Sequence, residues 1–409
     1  MNKMKILIVA LLVMVFVDSY SQLVQWRGPN RDGNFPANNL LKEWPEQGPK
    51  QILKVEGLGK GHSSVIYFDE IMYITGMKDT LDYISAVDMN GNIIWQTVYG
   101  TAWRKSFPDT RSTPTLYKDK LYVVSGVGEL VCLSADKGEI VWKVNVDIDF
   151  EGEWSRFGVS ESPLIIDDMV ICSPGGKKTS IVAFDCKNGK LKWQSESIGG
   201  KRIYSSPTIY ENNGKPSILA LTNEYLICLD PKKGDVNWKF NGTTEKYKEG
   251  PFTNTPIFKG NEIFMSHGYD YPSMMITVNE QGDSASLKWS DTIFDNHHHG
   301  YVYVDGYIYG TNWENNKRGK WVCMEWETGK IMYEEKWGTK GTIVYADGMF
   351  YIYEERTGNI GLLKPNPEKF ELVSSFKITE GNGPHWSHLS IYEGKMFVRH
   401  GEVLMVYEI

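Results

Sequence analysis

The chain has no excess of positive charge: its 409 residues carry 44 Lys and Arg against 51 Asp and Glu, which gives a formal net charge of −7. A general nucleic-acid-binding protein needs a basic surface to neutralise phosphates, so the composition excludes that class. The chain also lacks the composition of a disordered protein, since aromatic residues make up 13% and charged residues only 23% of it. A folded protein with an acidic surface is therefore expected.

Long apolar runs are absent after residue 17, and the run from Ile6 to Val17 is shorter than the roughly 20 residues that span a bilayer. Lys3 and Lys5 precede this run, and small residues follow it. This pattern predicts a secretory signal peptide over residues 1–21, cleaved after Ser21, and a periplasmic or secreted protein. No cysteine lies near that point, so we expect no lipid attachment; a retained membrane anchor is the alternative.

Cysteine is scarce, with five residues and no Cys-x-x-Cys pair, so a zinc or thioredoxin-like site has no support. An odd number leaves at least one cysteine unpaired even in an oxidising compartment. Cys132, Cys228 and Cys323 occupy one position of the repeat described next. We therefore expect these three to be small buried apolar residues rather than ligands.

An internal repeat organises the chain. Four segments read in register: Cys132 to Trp142 (CLSADKGEIVW), Ala183 to Trp193 (AFDCKNGKLKW), Cys228 to Trp238 (CLDPKKGDVNW) and Cys323 to Tyr333 (CMEWETGKIMY). Each begins with a small residue, continues to a Gly-containing turn and ends on an aromatic residue. This pattern predicts a strand, a tight turn and a second strand. The closing Trp is large and has one N–H to satisfy, which suits a packing position between neighbouring sheets.

A second marker precedes these hairpins and ends in proline: Ser112 to Pro114, Glu161 to Pro163, Ser205 to Pro207 and Asn254 to Pro256. Proline can open a strand but is excluded from the middle of a central one, so each marker begins a strand pair. The proline spacing averages about 47 residues, near the range of four-stranded propeller blades.

The repeats amount to eight units, which begin near Gly61, Arg111, Ser160, Tyr204, Thr253, His299, Gly341 and His388. The sequence therefore predicts an all-β, eight-bladed β-propeller of four-stranded antiparallel blades over residues 51–409. The last unit lacks a strand, and the segment Gln51 to Val55 is expected to supply it and close the ring. Residues 22–50 are expected to form an arm outside the ring. Seven blades with an irregular extra segment are the alternative.

The pattern A-x-D-x-x-x-G-x-x-x-W, fullest at Ala183, Asp185, Gly189 and Trp193, resembles the tryptophan-docking repeat of pyrroloquinoline-quinone (PQQ)-type β-propellers. The opening WRGPNRDG, from Trp26 onward, resembles the leader of a group of exported PQQ-like propeller proteins. The superfamily that this sequence resembles includes quinone-dependent alcohol dehydrogenases. It also includes the BamB-like propeller lipoprotein, a scaffold in the assembly of outer-membrane β-barrels.

The resemblance implies PQQ and Ca²⁺ as cofactors, and both need residues that can be looked for in the sequence. Quinone dehydrogenases of this type often carry a disulfide between adjacent cysteines and a Ca²⁺ held by oxygen ligands. This sequence has no adjacent cysteine pair, and no matching Glu, Asn and Asp set is identifiable. Bound PQQ and Ca²⁺ are therefore not expected, and the repeat by itself is a packing motif.

Candidate ligand-binding residues precede the first strand of each blade or lie in the connections between blades, which commonly line the mouth of a propeller channel. They are His62, Trp103, Arg104, Arg111, Trp154, Glu161, Tyr204, Asn254, His298, His299, His385, Trp386 and His388. Such a ring offers stacking surfaces, cationic donors and groups that titrate near neutral pH. A hydrated mouth must also be polar whether or not it binds a ligand.

The segment from Asp295 to His299 is the densest cluster of candidate ligands. On an extended chain His297 and His299 share a face, so with Asp295 they could bind a divalent metal. A solvated loop without a metal is the alternative interpretation.

We predict a binding module that holds a small molecule, glycan or peptide in the propeller mouth, with a protein partner also possible in principle and a monomeric state expected. The first alternative is an acidic-sugar lyase or hydrolase, in which arginines would neutralise a carboxylate, a histidine would act as base and a tyrosine as acid. Its catalytic candidates are Arg111, His299, His388 and Tyr204. Glu161 and Asp295 could instead serve glycoside hydrolysis, and a PQQ-dependent dehydrogenase is the second alternative.

Overall fold

The computed structural model describes residues 23–153, 156–212, 214–243 and 252–409. The predicted signal peptide and Trp154 lie outside the described residues. Within those ranges, no helix is both long enough and apolar enough to cross a membrane.

The described chain folds into eight sheets and one short helix, α1 (Val146–Asp149). The strands that precede the first complete blade are β1 (Leu23–Val24), β2 (Asn34–Phe35) and β3 (Lys50–Val55). Blades one to four contain β4 (Ile66–Phe68), β5 (Ile71–Lys78), β6 (Leu81–Asp88), β7 (Ile93–Thr101), β8 (Thr115–Tyr117), β9 (Lys120–Val124), β10 (Glu129–Ser134), β11 (Ile140–Asn145), β12 (Leu164–Ile166), β13 (Met169–Cys172), β14 (Val182–Asp185), β15 (Leu191–Gln194), β16 (Thr208–Asn212), β17 (Lys215–Leu221), β18 (Tyr225–Leu229) and β19 (Val236–Asn241). Blades five to eight contain β20 (Ile257–Lys259), β21 (Glu262–Met265), β22 (Ser273–Val278), β23 (Ala285–Asp291), β24 (Val302–Val304), β25 (Tyr307–Thr311), β26 (Trp321–Glu325), β27 (Ile331–Glu335), β28 (Gly341–Ala346), β29 (Met349–Glu354), β30 (Asn359–Lys364), β31 (Glu371–Lys377), β32 (Ser390–Tyr392), β33 (Lys395–His400) and β34 (Val403–Glu408). All neighbouring strands in these sheets are antiparallel except the pair β2 and β28, which is parallel.

The eight-bladed propeller is confirmed, and so is its closure. Strand β3 pairs antiparallel with β34, so the eighth sheet has the order β3-β34-β33-β32. The N-terminal strand β3, which precedes blade one, thus supplies the fourth strand of blade eight, as predicted. Seven blades with an extra segment are excluded. Joining the first and last repeats removes two exposed sheet edges, where other chains could otherwise pair.

The repeated Trp docks on the glycine turn of the next blade. Trp142 donates its indole N–H to the Cys186 carbonyl at 2.9 Å, and Trp193 donates to the Pro231 carbonyl at 2.9 Å. Trp193 also packs so closely on Gly234 that a Cβ there would lie 2.3 Å from its ring. The indole therefore satisfies its one polar group while its apolar surface fills the space between sheets.

The small residue of the repeat lies directly across the sheet from that Trp. Cys132 pairs with Trp142, and Cys228 pairs with Trp238. All five cysteines are unpaired and buried, which confirms the prediction that Cys132, Cys228 and Cys323 are buried apolar residues. A larger side chain at this position would compete with the indole for the same space.

The proline-ending markers join consecutive blades through side-chain hydrogen bonds. The Ser162 hydroxyl accepts the Thr113 N–H at 3.2 Å, and the Ser206 hydroxyl accepts the Ser162 N–H at 2.9 Å. The Thr113 hydroxyl in turn accepts the Ser64 N–H at 2.9 Å. The hydroxyl residues before the prolines therefore pair backbone groups that would otherwise be buried without partners.

The N-terminal arm does not lie outside the ring, contrary to the prediction. Strand β1 pairs with β8 of blade two, and β2 pairs in parallel with β28 of blade seven, three blades away around the ring. Between them, Arg31 donates to the carbonyls of Ser162 and Pro207 at 2.8 and 3.2 Å, which belong to the starts of blades three and four. The arm therefore crosses the centre of the propeller, where the first strands of several blades converge.

Candidate functional site

The candidate site lies where the segments before the first strands of the blades meet. Arg27 marks this region because its guanidinium contacts blades six, seven and eight. It donates to the Tyr301 carbonyl at 2.7 Å, to the Ile343 carbonyl at 3.2 Å and to His388 Nδ1 at 2.9 Å. One side chain reaches three blades only near the central axis. The histidines predicted to line the mouth surround this point.

His299 is held by a buried carboxylate that sequence reasoning missed. The distance from His299 Nε2 to Glu355 Oε2 is 3.0 Å, and Glu355 Oε1 lies 2.7 Å from the Lys340 ammonium. Trp386 also donates its indole N–H to Glu355 Oε2 at 3.2 Å. Glu355 thus joins three residues from three different connections of the ring.

The charge state of Glu355 fixes the tautomer of His299. Burial by itself would raise the pKa of Glu355, but the hydrogen bond from His299 and the neighbouring Lys340 charge lower that pKa to about 2. An ionised carboxylate can only accept, so His299 Nε2 carries the proton and its Nδ1 presents a lone pair. That buried Nδ1 has no hydrogen-bond partner among the described residues.

The neighbouring histidines are packed ring against ring. The centroid of His298 lies 4.2 Å from that of His299 and 5.3 Å from that of Trp386. Burial lowers the pKa values of His297, His298 and His299, so these imidazoles are neutral at pH 7. The cluster therefore offers nitrogen lone pairs and N–H groups rather than positive charge.

The metal set predicted from sequence is not the one that the fold brings together. Asp295 accepts the backbone N–H groups of Trp313 and Asp270, each at 2.9 Å, and so ties two loops together. Among the described residues, the group whose ligand atoms lie within 4.8 Å of one another is His298, His299 and Glu355. Two neutral imidazoles and a carboxylate could hold a transition metal, although Lys340 already neutralises that carboxylate.

Both ring nitrogens of His388, a predicted catalytic base, are hydrogen-bonded within the protein. Arg27 can only donate, so His388 Nδ1 accepts from it, and His388 Nε2–H donates to the His298 carbonyl at 3.1 Å. Burial lowers the pKa of His388 well below its ordinary value. His388 therefore links the arm to the histidine cluster and has no free nitrogen for proton transfer.

A row of aromatic rings crosses the mouth beside this cluster. Phe107 lies between Trp386 and Phe157, with ring centroids 5.9 and 5.6 Å away, and Phe157 lies 5.7 Å from Tyr204. His62 extends the row, since its ring lies 5.1 Å from that of Trp386. We call Trp386, Phe107, Phe157 and Tyr204 the aromatic row.

Arg111 and Tyr204 hold the aromatic row in place. Arg111 donates to the Phe157 carbonyl at 2.8 Å and also to the Phe107 carbonyl. The Tyr204 hydroxyl accepts the Phe157 N–H at 3.0 Å. Two of the predicted catalytic residues are therefore bound to the backbone of the aromatic row, and they support its shape.

Of four further predicted residues, Trp103, Asn254 and His385 are buried and Arg104 is exposed. His385 stacks on His400 with 3.7 Å between centroids. Asn254 donates to the Asn296 carbonyl at 2.9 Å and so supports the histidine loop.

Glu161 is placed apart from the histidine cluster. It is buried, accepts the Ser173 N–H at 3.1 Å and lies 3.9 Å from Arg202, which pairs with Asp147 at 2.7 Å. Burial raises the pKa of Glu161 to about 7, against the opposing charge of Arg202. Glu161 and Asp295 therefore have different neighbours: Glu161 contacts Ser173 and Arg202, whereas Asp295 binds the backbone of Trp313 and Asp270.

Sequence reasoning missed Glu355, Phe107 and Phe157. Glu355 follows the second strand of blade seven, whereas the predicted residues precede first strands or lie between blades; the run Glu354-Glu355-Arg356 is visible in the sequence. Phe107 and Phe157 stand close to Arg104 and Arg111 and to Trp154, which were considered. A Phe four or five residues before each of two consecutive proline-ending markers was the sequence signal that could have indicated them.

Comparisons with known proteins agree with this fold. The quinohemoprotein alcohol dehydrogenase of Comamonas testosteroni is 28% identical over 144 residues, and an alcohol dehydrogenase (quinone) subunit of Komagataeibacter europaeus is 29% identical over 140 residues. These matches cover 33% and 32% of this chain but only 20% and 18% of the relatives. The chain thus matches about a fifth of the length of these curated relatives.

Solved structures show the same architecture at low identity. The chain superposes on BamB from Moraxella catarrhalis with a TM-score of 0.62 at 13% identity, over 88% of this chain and 100% of that chain. For the Comamonas testosteroni dehydrogenase the TM-score is 0.66 at 12% identity, over 94% and 80% of the two chains. A family model described as outer membrane protein assembly factor BamB matches residues 82–335. Because that match spans more than half of the chain, the protein belongs to this PQQ-repeat family.

Proposed function

We propose that this protein is a glycan-binding module whose ligand lies on the aromatic row at the propeller mouth. The observation that carries the proposal is Phe107. Its side chain is 58% exposed, and its backbone φ is +42°, a left-handed conformation that is costly for a bulky residue. A strained segment that presents a large apolar side chain to solvent points to a binding role.

The surroundings of Phe107 favour a sugar as the ligand. Trp386 and Phe157 flank it, and the Arg111 guanidinium fixes the backbone of both phenylalanines. One face of a pyranose ring consists of C–H groups, which pack against aromatic rings, while its hydroxyls need polar partners at the edge. His298 lies beside Trp386, and its buried Nε2 has no hydrogen-bond partner among the described residues, so a hydroxyl that reached it between the rings would satisfy it.

The quinone chemistry of the dehydrogenase relatives is not part of this proposal. The Ca²⁺ that accompanies a quinone in such proteins takes six to eight oxygen ligands. Glu355, the carboxylate of the histidine cluster, is already bound to Lys340, His299 and Trp386, and its other neighbours there are imidazole nitrogens. This donor set does not fit a calcium-supported quinone.

A carbohydrate-active enzyme is the second candidate, and it is favoured by the His299–Glu355 pair. The carboxylate orients the imidazole, and the Nδ1 lone pair has no partner in the part of the chain that the structure describes, which is the arrangement of a general base. His299→Ala would then abolish release of products from a bound glycan, measured by chromatography, while the dissociation constant changes little. A pure binding module would release no products in the wild type.

The binding proposal is tested by Phe107→Ala against Ile94→Ala, a control that truncates another exposed apolar residue, 51% accessible and on the outer strand β7. A glycan array followed by titration calorimetry identifies and measures the ligand. We expect Phe107→Ala to weaken binding roughly five- to thirtyfold, because loss of a stacked ring costs about 1–2 kcal/mol. Equal affinities for the two variants would contradict the proposal.

A further inference from the structure

We propose that a cationic groove between blades six and seven binds the acidic groups, carboxylate or sulfate, of an oligosaccharide. This inference rests on the proposed glycan-binding function and deepens it by naming the charge of the ligand. The groove is a cavity of about 740 Å³. Its cationic lining consists of Lys317, Arg318, Lys320, Lys336 and Arg356.

Most of these cations are not neutralised by the protein. Lys320 pairs with Glu334 at 3.1 Å and lies 3.7 Å from Glu314. Among the described residues, the side chains of Lys317, Arg318, Lys336 and Arg356 form no ion pair. Like charges gathered around one cavity repel each other, and an anionic ligand would relieve that repulsion.

The carboxylates of the groove do not offset this charge. Glu314 and Glu354 also line it, and Glu354 accepts the backbone N–H of Arg356 at 3.1 Å as well as the N–H of Thr357. Five cations therefore face two carboxylates in a protein whose net charge is −7. The contrast with the acidic chain as a whole indicates a local site for anions, because such a patch steers ligands of opposite charge.

The groove adjoins the histidine cluster and, through it, the aromatic row. Lys340 donates to the Asn315 carbonyl at 2.8 Å, in the loop that lines the groove, and pairs with Glu355 at 2.7 Å. Glu355 accepts the Trp386 N–H, and Trp386 begins the aromatic row. A single acidic chain molecule could therefore place sugar rings on the aromatic row and charged groups in the groove.

The test compares two forms of one ligand, an oligogalacturonate and its neutral methyl ester, with a sulfated galacto-oligosaccharide as the second charged probe. The groove variant is Lys336→Ser with Arg356→Ser. The matched control is Lys232→Ser with Lys233→Ser, which removes two exposed charges from the hairpin of blade four. Dissociation constants are measured by calorimetry at low and high salt.

We expect the groove variant to bind at least one charged probe tenfold or more weakly, with a shallower salt dependence, and to bind the methyl ester as the wild type does. The control variant should resemble the wild type. If neither charged probe binds the wild type, or if the two double variants behave alike, the groove proposal is overturned. Which charged probe responds identifies carboxylate or sulfate as the preferred group.

The two proposals fail separately in this experiment. Phe107→Ala should weaken the charged and neutral forms equally, because it removes stacking and leaves the charges. If Phe107→Ala leaves both dissociation constants unchanged while the groove variant still weakens binding of the charged ligand only, the aromatic row is not the binding site and the groove proposal is retained. The reverse pattern would leave the aromatic row and remove the groove.

Discussion

At the scale of single residues, burial of imidazoles dominates the chemistry of this molecule. Seven of the eight histidines have pKa values below the ordinary range, and burial is the largest cause for each. Three of the seven form ring hydrogen bonds among the described residues: His388 bridges the arm to the histidine loop, His299 is held by Glu355, and His385 is bound to the Tyr353 hydroxyl. These three neutral imidazoles therefore serve as polar connectors between segments.

His267 shows the energetic consequence most clearly. Its ring nitrogens have no hydrogen-bond partner among the described residues, and its ring lies 3.7 Å from that of Phe252 and 5.9 Å from that of Tyr271. Burial alone lowers its pKa to about 3. Below pH 6.5 the unfolded chain binds a proton at this residue and the folded protein does not, so stability is lost as the pH falls toward 3.

We expect His267→Phe to reduce that loss. Between pH 8 and pH 5 the wild type should lose about 2 kcal/mol more unfolding free energy than the variant, since the proton bound only in the unfolded chain contributes about 1.4 kcal/mol per pH unit below pH 6.5. Urea denaturation of both proteins at pH 8, 6.5 and 5 measures the difference, in which all other titrating groups cancel. Parallel pH profiles would contradict the assignment.

At the scale of elements, the stacking of one blade's Trp on the next blade's Gly turn couples each sheet to its neighbour. Trp193 Nε1 reaches the Pro231 carbonyl, and the left-handed Gly234 leaves room for the indole. The same arrangement recurs where Gly189 packs on Trp142 and Gly138 on Trp95. The same Trp–Gly contact recurs at these blade junctions because each blade buries an apolar face against the next blade.

Gly234→Ala and Gly348→Ala separate packing from backbone strain. Both glycines have φ of +76°, but a Cβ at Gly234 would lie 2.3 Å from the Trp193 ring, and a Cβ at Gly348 meets nothing within 4 Å. We expect about 1–2 kcal/mol of destabilisation for Gly348→Ala from the left-handed backbone. Gly234→Ala should lose about 1–3 kcal/mol more through overlap with the indole, as measured by thermal and chemical unfolding. Equal losses would mean that the indole moves aside without cost.

At the scale of the whole molecule, the arm makes the centre of the propeller a packed region. Arg31 is 1% exposed and bridges the starts of blades three and four, while Arg27 bridges blades six to eight. Burial lowers the pKa of Arg31 to about 9, so it remains charged at neutral pH. Its partners are mainly backbone carbonyls, which a planar guanidinium can bind several at a time.

Arg31→Met should therefore destabilise the whole ring. The Ser162 and Pro207 carbonyls would lose a buried donor, and each unsatisfied group costs about 1–3 kcal/mol, so we expect a total of about 3 kcal/mol or more. Arg31→Lys should recover little, since an ammonium lacks the fork geometry. Guanidinium denaturation measures both, with the exposed Arg104→Met as the control, expected within about 0.5 kcal/mol of the wild type. Unfolding midpoints equal to that control would show that the Arg31 hydrogen bonds contribute nothing to the stability of the ring.

The sequence by itself determined the number of blades, their hairpins, the buried cysteines and the closing strand. Each of these features is encoded within one repeat or by a missing strand, because turn residues, strand alternation and a docking Trp act over short distances. His298, His299 and His388 lie close together in the structure, since the segments before first strands converge in any closed ring.

Only the tertiary structure decided what those histidines touch and where the arm runs. Glu355 follows His299 by 56 residues, and Arg31 meets a carbonyl 176 residues away. No local pattern specifies such a pair, because the partners are chosen by which blades face each other across the axis. The aromatic row depends on the same convergence: Phe107, Phe157 and Trp386 become neighbours only when the ring closes.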